Sequence, residues 1–355
     1  MEVIVGTYEQ SICALNFCFD EIEAKFEAAF SDHGHSGCVK SVACNQKYLA
    51  SGSTDESIRL FELRKRVELG RLTQQEGSIT CLSFCNETHL LSGCEDGTLC
   101  IWECKSWNCL KILKGHRESV TSLAVHPTGR LALSVSLDKT LRTWNLLTGR
   151  SAYVTNIKQV ASIVRWSPSG ETYAVVTSSQ VIVYKVSTAA LVYTIGFAKT
   201  ILAITFMDEN VLAVGGDSLE VEIHDVESER KTQSIVAHET RIKGLTSTWS
   251  NSYQSDIVHI FLFSVSSDGV LKAWRFKDKN FRDAPDYLCQ FALNGRPTCI
   301  TVFTGKPESI VKSSVEKKQT LRKTLENNEK QLDKKFSSES PASRRNKSKK
   351  RTRNK

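Results

Sequence analysis

Short apolar stretches broken by turn residues recur along this chain at a regular interval. Val120, Leu123 and Val125 are followed by the turn His126-Pro127-Thr128-Gly129 and then by the compact run Leu131-Ala132-Leu133-Ser134, a pattern of paired short strands. Asp138-Lys139 makes the next turn, Thr140 to Trp144 a third strand, and Thr148-Gly149 a turn before a fourth. The same phrase returns in Leu91-Ser92-Gly93-Cys94-Glu95-Asp96-Gly97…Ile101-Trp102 and in Phe263-Ser264-Val265-Ser266-Ser267-Asp268-Gly269…Ala273-Trp274. Asp55, Asp96 and Asp138 stand about 40 residues apart, the period of a four-stranded repeat unit. One such sheet cannot bury both of its faces alone, so the pattern predicts an all-β ring of radially stacked sheets.

Counting units predicts how the ring closes. Clear units begin near His35, Glu76, His116 and His238. Degenerate ones begin near Ile157 and Phe197, with Val181-Ile182-Val183-Tyr184 and Val221-Glu222-Ile223-His224 as their third strands. The segment from Val5 to Ile12 aligns with Ser51 to Ile58, so the chain starts inside a unit, at its second strand. Arg296 to Val302 matches Ser78 to Phe84 and supplies the missing first strand. Seven blades then close with both ends of the chain in one sheet, which removes exposed edges.

The set Gly115-His116…Ser134…Asp138…Trp144 resembles the WD-repeat motif, with Trp102-Glu103, Trp144-Asn145 and Trp274-Arg275 in place of its Trp-Asp pair. More narrowly, the run from Asp138 to Leu146, Gly149-Arg150-Ser151-Ala152 and Asn156-Ile157-Lys158-Gln159 resembles the PAK-interacting WD-repeat proteins. The opening Gly6-Thr7-Tyr8-Glu9-Gln10 and Ser266-Ser267-Asp268-Gly269 agree with that resemblance, which spans roughly Met1 to Val302. The resemblance implies a seven-bladed WD-repeat β-propeller over 1–304. It also implies a role in nucleolar assembly of the large ribosomal (pre-60S) subunit, and binding and restraint of a p21-activated kinase. In that family the matching residues form a buried network, here His116, Ser134, Asp138 and Trp144, and again His238, Ser264, Asp268 and Trp274, with His35, Ser51 and Asp55 beside Phe61.

Charge divides the chain unevenly. From Lys306 to Lys355 there are 17 Lys and Arg against 6 Asp and Glu, a balance of +11, so the remainder carries −3 of the total +8. Residues 305–355 therefore read as a basic, mostly disordered tail, with a short helix around 315–336 where Leu321, Leu325, Leu332 and Phe336 fall at helical spacing. Arg344, Arg345, Lys347, Lys349, Lys350, Arg351, Arg353 and Lys355 form a dense basic run without an aromatic or aliphatic neighbour. Such a run serves nuclear and nucleolar localisation or salt-sensitive contact with RNA phosphates, and it lacks the aromatics that base-stacking recognition needs.

His116, Ser134 and Asp138 also compose a hydrolytic triad on paper. The set partly recurs in other units, which catalytic sites do not do, so the reading is structural and the protein non-enzymatic. No phosphate-cradling Gly-x-x-x-x-Gly-Lys-Ser/Thr loop occurs, and the 12 Cys include no Cys-x-x-Cys pair, so no cofactor and no metal are expected. Apolar runs such as Ile201 to Met207 have strand length, short of the roughly 20 residues of a membrane helix. Function should lie in surfaces. The loops entering the first strands carry Arg117, Lys158, Lys199, Arg241 and Arg296, a candidate ring of positive charge for ribosomal RNA or an acidic protein segment. The expectation is a monomer within a larger pre-60S assembly, in the nucleus and nucleolus. Two rivals stay open: a cullin-type ubiquitin ligase receptor, from Phe61-Glu62-Leu63-Arg64, and a cytoplasmic signalling scaffold.

Overall fold

The computed structural model describes residues 1–20, 23–251, 258–277 and 279–305, and Met1–Gly305 make one compact unit. The helix expected around 315–336 and the basic run from Arg344 lie outside the described residues. All regular elements among the described residues are β-strands, arranged in seven four-stranded antiparallel sheets. Blade 1 consists of Val39–Cys44, Tyr48–Ser53, Ile58–Glu62 and Val67–Leu72. Blades 2 to 5 follow over 79–113, 120–156, 163–196 and 201–236, and blade 6 lies between Ile242 and Ala292.

Blade 7 is composite, as the alignment of the two chain ends predicts. Its strand order is Pro297–Phe303, Glu2–Thr7, Ile12–Phe19, Ala24–Asp32, and the pairing sets Val3 opposite Val302 and Val5 opposite Ile300. First strands of neighbouring blades contact one another in sequence all the way round, including the steps from blade 6 to 7 and from 7 to 1. The result is a closed seven-bladed β-propeller.

Hydrophobic burial follows the interfaces between blades. Seven apolar clusters are present, one for each pair of neighbours. Leu60, Leu82 and Trp102 belong to the one between blades 1 and 2, and Val5, Phe17, Phe263 and Leu271 to the one between 6 and 7. Each sheet thus buries its faces against two others, and removing one blade would uncover two clusters. Small residues let the sheets approach: a Cβ added at Gly52 would lie 2.5 Å from Cγ2 of Ile79 on the next blade.

Hydroxyls tie the inner strands together. Thr298 Oγ1 donates to Val39 O (2.5 Å), Thr80 Oγ1 to Val120 O (2.5 Å) and Thr121 Oγ1 to Ala161 O (2.7 Å), each reaching from one blade to the next. These bonds satisfy carbonyls of fully buried residues at the junctions between blades.

Candidate functional site

In blade 3 the His-Ser-Asp-Trp set assembles as a single relay. Trp144 Nε1 donates to Ser134 Oγ (2.8 Å), Ser134 Oγ lies 2.7 Å from His116 Nε2, and His116 Nδ1 lies 3.0 Å from Asp138 Oδ2. Only one assignment satisfies every group: the Ser134 hydroxyl donates to Nε2, and the Nδ1–H of a neutral imidazole donates to the carboxylate. Burial pushes the His116 pKa down despite Asp138, which keeps the ring neutral as this assignment requires. Burial also opposes ionisation of Asp138. The Thr140 hydroxyl, the Arg117 N–H and His116 outweigh it and hold the carboxyl at about 2.

This geometry imitates a hydrolase triad without serving as one. Ser134 is fully buried, with 0 % exposure, and its oxygen already accepts the indole N–H. A nucleophile needs an open approach to substrate. What the network does is join the loop entering the first strand to the turn between the second and third strands. Arg117 N donates to Asp138 Oδ2 (3.0 Å), and Thr140 N and Oγ1 donate to Oδ1.

The other blades vary the theme. Blade 1 keeps His35, Ser51 and Asp55 at 2.8 and 2.9 Å, but Phe61 has no N–H to donate. Blade 2 uses a substitution the sequence reading missed. Gln75 stands where a histidine would, bonding Ser92, which also accepts from Trp102 Nε1 (2.9 Å), while its amide nitrogen donates to Thr98. The signal was present, because Gln75 precedes Ile79 by the same four residues that separate His116 from Val120.

Blade 6 departs from expectation. His238 Nε2 meets Ser264 (2.8 Å) and Trp274 donates to Ser264 (3.2 Å), but Asp268 does not reach His238, whose Nδ1 has no hydrogen-bond partner. Among the described residues, a missing hydroxyl and a missing loop N–H donor, the counterpart of Ser36 N and Arg117 N, accompany this detachment. Ser57 and Thr140 hold the Asp55 and Asp138 carboxylates with side-chain bonds of 2.6 Å, whereas the corresponding residue in blade 6 is Val270, which offers only its backbone N–H. Asp268 is left exposed, and burial with Lys272 nearby lowers the His238 pKa to about 4.

In blade 7 Glu9 takes the turn position. Its carboxylate accepts from the Arg296 backbone N–H (2.7 Å), the counterpart of the bond from Arg117 to Asp138, so an acid from the chain's beginning caps the loop before its last strand.

The five basic residues of the expected ring are all exposed, in the equivalent loops that lead into the first strands of blades 3 to 7. The topology sets these loops on one face. They are not equally available. Arg296 pairs with Glu9 (3.2 Å) and stacks over Tyr8, and Arg241 donates to Ser267 (3.1 Å), whereas Arg117, Lys158 and Lys199 form no salt bridge among the described residues. On the opposite side of blade 1, Phe61 and Leu63 are buried and Arg64 is exposed, so of that ligase-like segment the basic residue is what meets solvent.

Three basic groups that the reading by motif missed lie inside the ring. Lys40, Arg165 and Lys243 project from first strands into the central channel, where they border one cavity. Among the described residues no cluster of His, Cys, Asp and Glu has metal-holding geometry, and no helix is long and apolar enough to cross a membrane. The 12 cysteines are free thiols; burial raises Cys81 to about 11 and Cys94 to about 12, far from a reactive thiolate.

Fold, period and network together define a WD-repeat propeller. The family described as "WD domain, G-beta repeat" matches residues 26–62, 66–103 and 107–145. Over 304 residues the chain is 42% identical to the Gallus gallus "p21-activated protein kinase-interacting protein 1-like", covering 85% of this chain and 80% of that one. It is 37% identical over 312 residues to the Homo sapiens "p21-activated protein kinase-interacting protein 1", covering 86% and 78%. A more distant relative is the Schizosaccharomyces pombe "Shk1 kinase-binding protein 15", 25% identical over 335 residues, covering 92% and 91%. The chain belongs to the p21-activated kinase-interacting protein 1 family of WD-repeat proteins.

Proposed function

We propose that this chain is a non-enzymatic docking scaffold that binds a p21-activated kinase and also serves assembly of the large ribosomal subunit in the nucleolus. The observation that carries the docking reading is that Ser134, the would-be nucleophile of the triad-like set in blade 3, is buried in a structural network, which leaves surfaces as the means of action. Kinase binding is supported by the names of relatives as far apart as chicken and fission yeast. Large-subunit assembly is supported by the resemblance of the chain to nucleolar assembly factors and by the +11 balance of residues 306–355, suited to ribosomal RNA phosphates. The partners are then the kinase, pre-60S proteins and ribosomal RNA, met at the Arg117, Lys158, Lys199, Arg241 and Arg296 rim, with Arg344 to Lys355 directing nuclear import.

Affinity purification of tagged protein from nuclear extract tests this reading. Pre-60S proteins together with a p21-activated kinase support it. Recovery of a cullin adaptor or confinement to a membrane-associated cytoplasmic pool replaces it with one of the two rivals. Imaging with and without Arg344 to Lys355 tests localisation: loss of nucleolar enrichment on truncation is the expected result. Charge reversal at the five rim positions should weaken pre-ribosome association with the fold intact, and unchanged association would remove the rim from the account.

A further inference from the structure

The channel wall carries charge of one sign. At the register position that Arg165 occupies in blade 4, the other six blades place Ala43, Ser83, Ala124, Thr205, Thr246 and Thr301. One long basic side chain therefore crosses a tier built otherwise from small ones. One tier nearer the rim face, Lys40 and Lys243 take the place that Thr80, Thr121 and Thr298 fill elsewhere. The three cations border a cavity of about 180 Å³, and no aspartate or glutamate lies among its lining residues.

Their own contacts leave the charges unanswered. Arg165 Nη1 donates to Val164 O (3.1 Å), and no salt bridge among the described residues involves Arg165, Lys40 or Lys243. Arg165 and Lys40 are exposed and Lys243 is half-buried; the protein packed around Arg165 lowers its pKa. Burial and Arg241 lower the pKa of Lys243, with Lys40 adding to the effect and Asp217 opposing it. Like charges gathered around one channel without a counterion repel one another, and a bound anion relieves that repulsion.

We propose that the channel of this propeller is a binding site for a small phosphate-bearing anion, clasped between Lys40 and Lys243 at the mouth and Arg165 below. The proposal stands apart from the docking role of the rim. The space bordered by all three cations, about 180 Å³, suits a compact anion, whereas the wider cavity of about 460 Å³ beyond Arg165 carries no further charged side chain to hold a peptide or nucleic-acid strand. Three cations call for an anion with several charges in little volume. Phosphates meet that demand better than a carboxylate, and guanidinium matches their oxygens in bidentate fashion.

Calorimetric titration of the full-length chain with inorganic pyrophosphate, in a phosphate-free buffer, tests the site. The expected result is saturable binding of one pyrophosphate per chain. Arg165→Met should weaken it at least about tenfold, and the double variant Lys40→Ser, Lys243→Ser should do the same. Because the basic tail is present in every variant, equal affinity in wild type and variants would assign the anion to the tail and overturn the proposal. Absence of a saturable phase in the wild type would overturn it as well. A hexaglutamate peptide is the competing probe: Arg165-dependent binding tighter than that of pyrophosphate would replace the phosphate site with an acidic-peptide site. Should Arg165→Met fail to fold, the lysine double variant decides alone, since those side chains stand at the open mouth.

Discussion

Blades 3 and 5 occupy equivalent places in the ring but secure their loops by opposite means. Register places Phe197, Val214, Ser218 and His224 of blade 5 where blade 3 has His116, Ser134, Asp138 and Trp144. The hydrogen-bond relay of blade 3 is replaced by an aromatic contact, with the Phe197 and His224 rings 5.5 Å apart, and by a cavity of about 330 Å³ bordered by Phe197, Val214 and Ser218. Both blades nevertheless contribute to continuous apolar clusters with their neighbours. The difference teaches that the relay does not close the ring. Packing between sheets does, and the relay holds individual rim loops in one conformation.

The sharpest test removes the residue that belongs to both systems. Trp144→Ala deletes a fully buried ring and a buried donor, and should cost roughly 3–5 kcal/mol. His224→Ala at the matching place removes a smaller ring whose side-chain bond runs only to the half-buried Glu222 (3.0 Å), and should cost less, about 1–2 kcal/mol. Equal costs by chemical denaturation would erase the contrast between the blades.

Acid is the next strongest perturbation. The folded-state pKa of His238 is lowered to about 4 from its ordinary 6.5, so the unfolded chain binds the proton first. The stability due to keeping this ring neutral is complete above pH 6.5 and is lost as pH falls toward 4, by roughly 3 kcal/mol at most. His35, His116 and His224 shift in the same direction. Melting temperature should therefore drop between pH 6.5 and 4, before Asp55 and Asp138 titrate near 2. A flat profile over that window would show that the buried imidazoles do not resist protonation.

Within the relays, Asp138→Ala should cost about 1–3 kcal/mol and speed amide exchange at Arg117 and Thr140, whose N–H groups lose their acceptor. Asp268→Ala should stay within about 0.5 kcal/mol, because that carboxylate has left its network. The smallest effect is a gain. Val270→Thr restores the hydroxyl that orients the acid, and should stabilise by about 0.5–1 kcal/mol while giving His238 Nδ1 a partner visible by NMR.

Much of the fold was legible because its signals are local and repeated. The spacing from Asp55 to Asp96 to Asp138 reveals the period, and the likeness of Val5–Ile12 to Ser51–Ile58 reveals the closure. The relay of blade 3 was legible for the same reason. Gln75 escaped because an amide can replace an imidazole between a serine and a turn, an equivalence of hydrogen-bonding capacity and not of residue type. The detachment of Asp268 was written in Val270, two residues on, but a motif read as His-Ser-Asp-Trp gives that position no weight. Arg165 was hidden more deeply. Its meaning emerges only when seven first strands are set in register and six of them present small side chains.

The composite seventh blade has a consequence for biosynthesis. Glu2–Thr7 leaves the ribosome long before its hydrogen-bonding partner Pro297–Phe303, which comes about 290 residues later. At translation speeds of 5–20 residues per second, that apolar strand waits on the order of 15–60 s with one edge unpaired. Throughout that interval the nascent chain offers an unpaired strand edge to other polypeptides, and the blade closes only when its partner strand arrives.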